Sequence, residues 1–244
     1  MKLADRIYWV GSGCVGLSAE GDCHVYAVEG DRAIALIDAG MAKDPALILR
    51  NMEDDGLDIK KLRYVLITHA HPDHTGGCVV LQRDYGTKIV CSNYEKQVLQ
   101  KGALEIFGEE GGAMAHWMER EQLKCIPDII VGDGDDIDLG DIKIKAIITP
   151  GHTCGSVCYL TEIDGRMMLF SGDTIFYKGF ISVLVPPFSD LALYKQGITK
   201  LKNMQIDGLF PSHLMFVLKG GQSYIDKAIT DFERAQIPTN KPFS

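Results

Sequence analysis

Nowhere in its 244 residues does the chain hold an apolar run near the ~20 residues a membrane-spanning helix needs. Its start, Met1-Lys2-Leu3-Ala4-Asp5-Arg6, also lacks the apolar stretch of a secretory leader. A soluble, cytoplasmic protein is expected. Clusters of Lys or Arg are missing too, and 33 acidic side chains outnumber 25 basic ones, for a formal charge of −8. That balance argues against nucleic acid or an anionic membrane surface as a partner. The seven cysteines, Cys14, Cys23, Cys78, Cys91, Cys125, Cys154 and Cys158, are odd in number and contain no Cys-x-x-Cys pair. Neither a disulfide framework nor a zinc finger is indicated. With no linker, repeat or low-complexity tract, and with 46% hydrophobic residues to form a core, the expectation is one domain over residues 1–244.

What the chain does have is a concentration of ligands. Thr68-His69-Ala70-His71-Pro72-Asp73-His74-Thr75-Gly76-Gly77 gathers three imidazoles and a carboxylate within six residues, directly after the apolar run Tyr64-Val65-Leu66-Ile67. Neutral imidazoles with a carboxylate suit zinc, iron or manganese, and a strand that ends in such a turn presents them at a sheet's rim. Three further candidates also end apolar runs: His152 in Thr149-Pro150-Gly151-His152-Thr153, Asp173 in Phe170-Ser171-Gly172-Asp173-Thr174, and His213 in Phe210-Pro211-Ser212-His213. Ligands at the ends of separate strands can converge on one sheet edge.

Periodicity and turn residues predict strands at 6–10, 23–28, 33–37, 62–68, 88–91, 137–139, 142–148, 156–161, 167–171 and 207–210. Helices are predicted at 45–55 with Asp44 as N-cap, and at 74–85, 92–101, 190–203 and 221–236. The Gly-rich stretch 102–122, with His116 and Trp117, reads as a lid or a short helical insertion. Two groups of strands interleaved with helices predict an α/β protein with two sheets packed face to face and helices outside.

At His69, His71, Asp73 and His74 the chain matches H-x-H-x-D-H, and with Gly151-His152, Gly172-Asp173 and Ser212-His213 it resembles the metallo-β-lactamase fold superfamily over nearly its whole length. The resemblance implies an αββα sandwich of two mixed β-sheets. It implies a stand-alone binuclear hydrolase of the glyoxalase II and lactonase-like branch, with two zinc ions, or iron or manganese in their place. His69, His71 and His152 would hold one ion, Asp73, His74 and His213 the other, and Asp173 would bridge them. A metal-bridging hydroxide would attack an ester, lactone or thioester carbonyl, with Asp73 orienting it and moving a proton. Tyr177, four positions after Asp173, is the candidate for the oxyanion-binding tyrosine of lactonase-type members, at a spacing one longer than they use.

The basic C-terminal extension with which glyoxalase II enzymes hold glutathione is not matched, so that substrate is not favoured. The apolar segment 176–188, followed later by Leu214-Met215-Phe216, reads as an acyl pocket, a homodimer face, or core, with Lys178 or Lys219 as a carboxylate contact. His24 reads as a structural hydrogen-bonding residue, and Cys154 as a small packing residue despite its closeness to His152. The alternatives are an oxidoreductase like the mononuclear iron persulfide dioxygenases, and a non-catalytic metal-binding module. The expected partner is a small molecule.

Overall fold

A computed structural model of the protein describes residues 1–41, 44–101, 125–184 and 189–241. The stretch 102–122, with His116 and Trp117, lies outside the described residues, as does the end of the apolar segment at 185–188. The chain divides into two compact units, Met1–Val131 with Asp138–Ile142, and Gly132–Ile137 with Lys143–Phe243.

The first unit carries a seven-stranded sheet whose spatial order follows the chain: β1 (Lys2–Ala4), β2 (Ile7–Gly11), β3 (Val25–Glu29), β4 (Ile34–Ile37), β5 (Leu62–Leu66), β6 (Lys88–Ser92) and β7 (Ile129–Val131). Neighbours from β1 to β4 are antiparallel and those from β4 to β7 are parallel. All four side chains of β4 are buried, as expected of a strand covered on both faces. Parallel neighbours need crossovers. Helix α1 (Pro45–Asp54) supplies the first, with Pro45 in its opening turn and Ile48, Leu49 and Met52 turned inward. Asp44 stands at the predicted N-cap position but makes no side-chain cap hydrogen bond; it accepts from the Arg50 guanidinium at 3.2 Å instead.

The second crossover was predicted as one helix over 74–85 and is two: α2 (Pro72–Thr75) and α3 (Cys78–Tyr85). The interruption falls at Gly76 and Gly77, where the chain lies against the segment that follows β4. A Cβ on Gly76 would come within 2.4 Å of the Met41 carbonyl carbon, and one on Gly77 within 2.3 Å of Ala39 O. Helix α4 (Asn93–Lys101) follows β6. Because β4, β5 and β6 are parallel, Asp38, the turn from Thr68 to His74, and Glu95 leave the sheet at the same edge.

The second unit carries a five-stranded sheet in the order β12 (Ile206–Pro211), β11 (Arg166–Gly172), β10 (Val157–Ile163), β9 (Lys143–Ile148), β8 (Asp136–Asp138). β10 is antiparallel to both β9 and β11, and β11 is parallel to β12. Strands β9, β11 and β12 thus point the same way, and the loops carrying His152, Asp173 and His213 emerge from one edge. Helix α5 (Leu191–Thr199) is capped by Asp190, whose carboxylate accepts from the Ala192 and Leu193 amides at 2.8 and 3.0 Å. It ends four residues before the predicted end, where Leu201 and Lys202 turn more tightly onto the Ile198 and Thr199 carbonyls. With α6 (Gln222–Glu233), it buries Tyr194, Ile198, Ile225, Ile229 and Phe232 against Ile147, Leu169 and Leu209.

The predicted strands are found with ends shifted by one or two residues; β1 and β7, three residues each, are additional and too short to show alternation. Among the described residues, no helix is long and apolar enough to cross a membrane.

Candidate metal centre

In the first unit, the ligand turn is held from the flank. Asp38 Oδ1 accepts from the Thr68 amide at 2.8 Å, and Oδ2 accepts from the Thr68 hydroxyl at 2.8 Å and faces His74 Nδ1 at 2.8 Å. Occupying Nδ1 of His74 fixes its tautomer and aims Nε2 into the site. Thr68 Oγ1 similarly lies 3.1 Å from His69 Nδ1, leaving His69 Nε2 only 2.8 Å from His71 Nδ1. The His69 and His74 rings are 4.0 Å apart. The backbone is tied as well, since Cys23 N donates to Asp73 O and Ala39 N to His74 O.

Burial by itself opposes charge on His74, but the Asp73 and Asp38 carboxylates outweigh it and raise the imidazole pKa well above its ordinary value. A divalent ion competes with a proton for such a position. His74 Nε2 lies 3.3 Å from Asp73 Oδ2.

In the second unit, Asp173 Oδ2 stands 3.6 Å from both His152 Nε2 and His213 Nε2. These distances are long for hydrogen bonds. They fit donors that share an ion, because ligand atoms bound at about 2.0–2.2 Å in tetrahedral geometry sit roughly 3.3–3.6 Å apart. His152 Nδ1 is committed to Ser182 O at 2.8 Å, which again leaves Nε2 for the site. Gly151 lets this loop lie on α5, since a Cβ there would come within 2.4 Å of the Tyr194 Cα. Tyr194 itself is fully buried. Its hydroxyl donates toward the Asp173 and Thr174 carbonyls, with oxygen–oxygen distances of 2.9 and 2.7 Å, and its oxygen accepts from Ser182 N at 3.2 Å. One phenol therefore links the Asp173 loop to the carbonyl-bearing residue that orients His152.

Each unit thus preorganises its own imidazoles and carboxylates, and in both the donor set suits zinc, iron or manganese. Asp38, Glu95, Tyr194 and Ser182 were not legible as site residues. Asp38 alone carried a local signal, an acid directly after the buried run of β4.

The remaining candidates have other settings. Tyr177 lies in a short 3-10 turn, its ring 5.1 Å from that of Tyr224 and 5.5 Å from Lys178 Nζ. Lys178 and Lys219 are exposed. His24 is buried, with Nδ1 3.0 Å from Ser12 Oγ and its ring edge-on to Trp9. Phe176 and Ile181 of the apolar segment are fully buried, whereas Leu214 and Met215 beside His213 are 42% and 60% exposed.

Cys14 is exposed and Cys154 half-buried, while the other five cysteines are buried. Burial pushes the Cys158 thiol up to about 11 and raises Cys23 and Cys91 further. Alkylation of the native protein at about pH 8 should label Cys14 first and Cys154 more slowly, since only accessible thiolates react. Peptide mapping that finds Cys158 labelled as fast as Cys14 would contradict this placement.

Residues 19–213 match the metallo-beta-lactamase superfamily, and the chain belongs to that family. It is similar to the hydroxyacylglutathione hydrolase of Hahella chejuensis, 29% identical over 192 residues, which are 78% of this chain and 61% of the relative. It is also similar to the probable polyketide biosynthesis zinc-dependent hydrolase BaeB of Bacillus velezensis, 30% identical over 143 residues, 58% of this chain and 52% of the relative. The matched region therefore spans less than two thirds of either relative's length. Among solved structures, the metallo-beta-lactamase GOB-18 from Elizabethkingia meningoseptica superposes with a TM-score of 0.74 at 21% identity, over 96% of this chain and 89% of that one. That likeness establishes the fold as the metallo-β-lactamase fold.

Proposed function

We propose that the protein is a binuclear zinc hydrolase acting on the acyl carbonyl of a small ester, lactone or thioester. The observation that carries this reading is Asp173, whose single carboxylate oxygen stands 3.6 Å from two imidazole nitrogens supplied by different loops. In this reading His69, His71 and His152 hold one ion, Asp73, His74 and His213 hold the other, and Asp173 serves both. Such ions, when bound, supply a water activated at neutral pH and a Lewis acid for the carbonyl.

The chain's own residues do the rest. Asp38 and the Ser182 carbonyl fix the His74 and His152 rings before any ion arrives. Asp73 orients the attacking water and carries its proton toward the leaving group. Leu214 and Met215, exposed directly after His213, offer apolar surface to an acyl chain. The names of the relatives support an acyl substrate and zinc: a hydroxyacylglutathione hydrolase is named for an acyl thioester, and BaeB as zinc-dependent.

Protein purified without added metal should carry near two zinc per chain and hydrolyse members of an ester, lactone and thioester panel. Chelation should abolish turnover and zinc should restore it. About one iron per chain with oxygen consumption would replace this reading with the dioxygenase one. Cleavage of phosphodiesters with no acyl hydrolysis would also sink it.

A further inference from the structure

We propose that Glu95 is a positioning residue for the metal-binding turn, its buried carboxylate holding the peptide between His69 and His71 in the conformation that brings the two imidazoles together. Glu95 lies in the first turn of α4 and is fully buried. The Ser92 hydroxyl accepts its backbone N–H at 3.4 Å, so the start of the helix is anchored at the end of β6. From there the side chain reaches across to the neighbouring strand's loop, where Oε2 accepts the Ala70 amide at 2.8 Å.

Ala70 is the one residue between the first two histidines of the motif, and it is 3% exposed. A buried peptide N–H in a turn needs an acceptor. A carboxylate makes the shorter and stronger, charge-assisted bond. Rotation of the Ala70 peptide plane would swing His69 against His71, whose ring nitrogens are held 2.8 Å apart. Asp38 grips the same turn from β4, at Thr68 and His74. Two buried carboxylates, one just after β4 and one in the helix that follows β6, thus clamp the segment from Thr68 to His74 at both ends and near its middle.

The inference rests on His69 and His71 being metal ligands, as proposed above, and needs no knowledge of the substrate. Zinc affinity would be measured by competition with a chromophoric chelator, together with the visible spectrum of the cobalt-substituted protein. Glu95→Ala should weaken zinc binding by about 10- to 100-fold and alter the cobalt bands, as loss of an outer partner of a metal ligand does. Glu95→Gln, whose amide oxygen can accept the same N–H, should stay within about threefold of the parent. Should the alanine variant not fold, Glu95→Asp keeps the charge but shortens the arm, and should lose at least about fivefold.

Affinity within about threefold of the parent in folded Glu95→Ala or Glu95→Asp, with an unchanged cobalt spectrum, would overturn the role. A loss in Glu95→Gln as large as in Glu95→Ala would overturn it as well, since charge rather than position would then be at work. A parent protein that binds neither zinc nor cobalt would bring down this inference and the proposed function together. Tight binding by the parent with indifferent variants would remove only Glu95.

Discussion

Asp73→Ala should lower kcat/KM by about 10²-fold or more while leaving the fold in place, because in the proposed mechanism it removes both a metal ligand and the group that orients the water and moves its proton. The side chain sits in the first turn of α2 and is 14% exposed, so it is not one of the apolar side chains that pack the core. The backbone tie from Cys23 N to Asp73 O survives the substitution. A non-catalytic binding module would keep its ligand affinity in this variant and have no turnover to lose. Steady-state rates on the best acyl substrate, beside thermal unfolding, separate the two. Unchanged kcat/KM at unchanged zinc content would end the assignment of Asp73 to the chemistry.

Asp38→Ala should have the largest effect on stability. Its carboxylate is fully buried and accepts from the Thr68 amide, the Thr68 hydroxyl and His74 Nδ1. Removing one partner of a buried charged pair typically costs about 3–5 kcal/mol, because the other is left without compensation. Metal affinity should fall by about 10- to 100-fold at the same time, through the loosened His74. Urea unfolding of the metal-free protein reads the first effect without the second. A loss below about 1 kcal/mol there would place Asp38 among ordinary surface-type pairs, contrary to its burial.

The ligand turn could be read from the sequence because its information is local: four donors within six residues after an apolar strand. His152, Asp173 and His213 were readable for the same reason, each ending an apolar run. Asp38 and Glu95 were not, because each acts on a loop that is distant in sequence and near only once parallel strands have paired. Glu95 also sits in a Ser-x-x-Glu pattern, which reads as a helix start and so hides its reach to Ala70. Tyr194 looked like one more apolar-face residue of an amphipathic helix. Nothing local announces that its hydroxyl ends among three backbone groups. The split of the predicted 74–85 helix depended on Gly76 and Gly77 meeting the Ala39 and Met41 backbone, a contact periodicity does not contain.

The parallel run β4-β5-β6 also fixes when the ligand turn takes shape during folding. The bonds that shape it close loops of 25 residues to Glu95, 30 from Asp38 to Thr68 and 36 from Asp38 to His74. Contacts of that separation carry a loop-closure cost that contacts within one turn do not. In a newly made chain, the hexapeptide therefore passes through an interval in which its histidines exist but are not yet arranged. If the ion binds only the arranged turn, as the proposed function requires, zinc supplied during refolding should slow unfolding more than it speeds the first collapse.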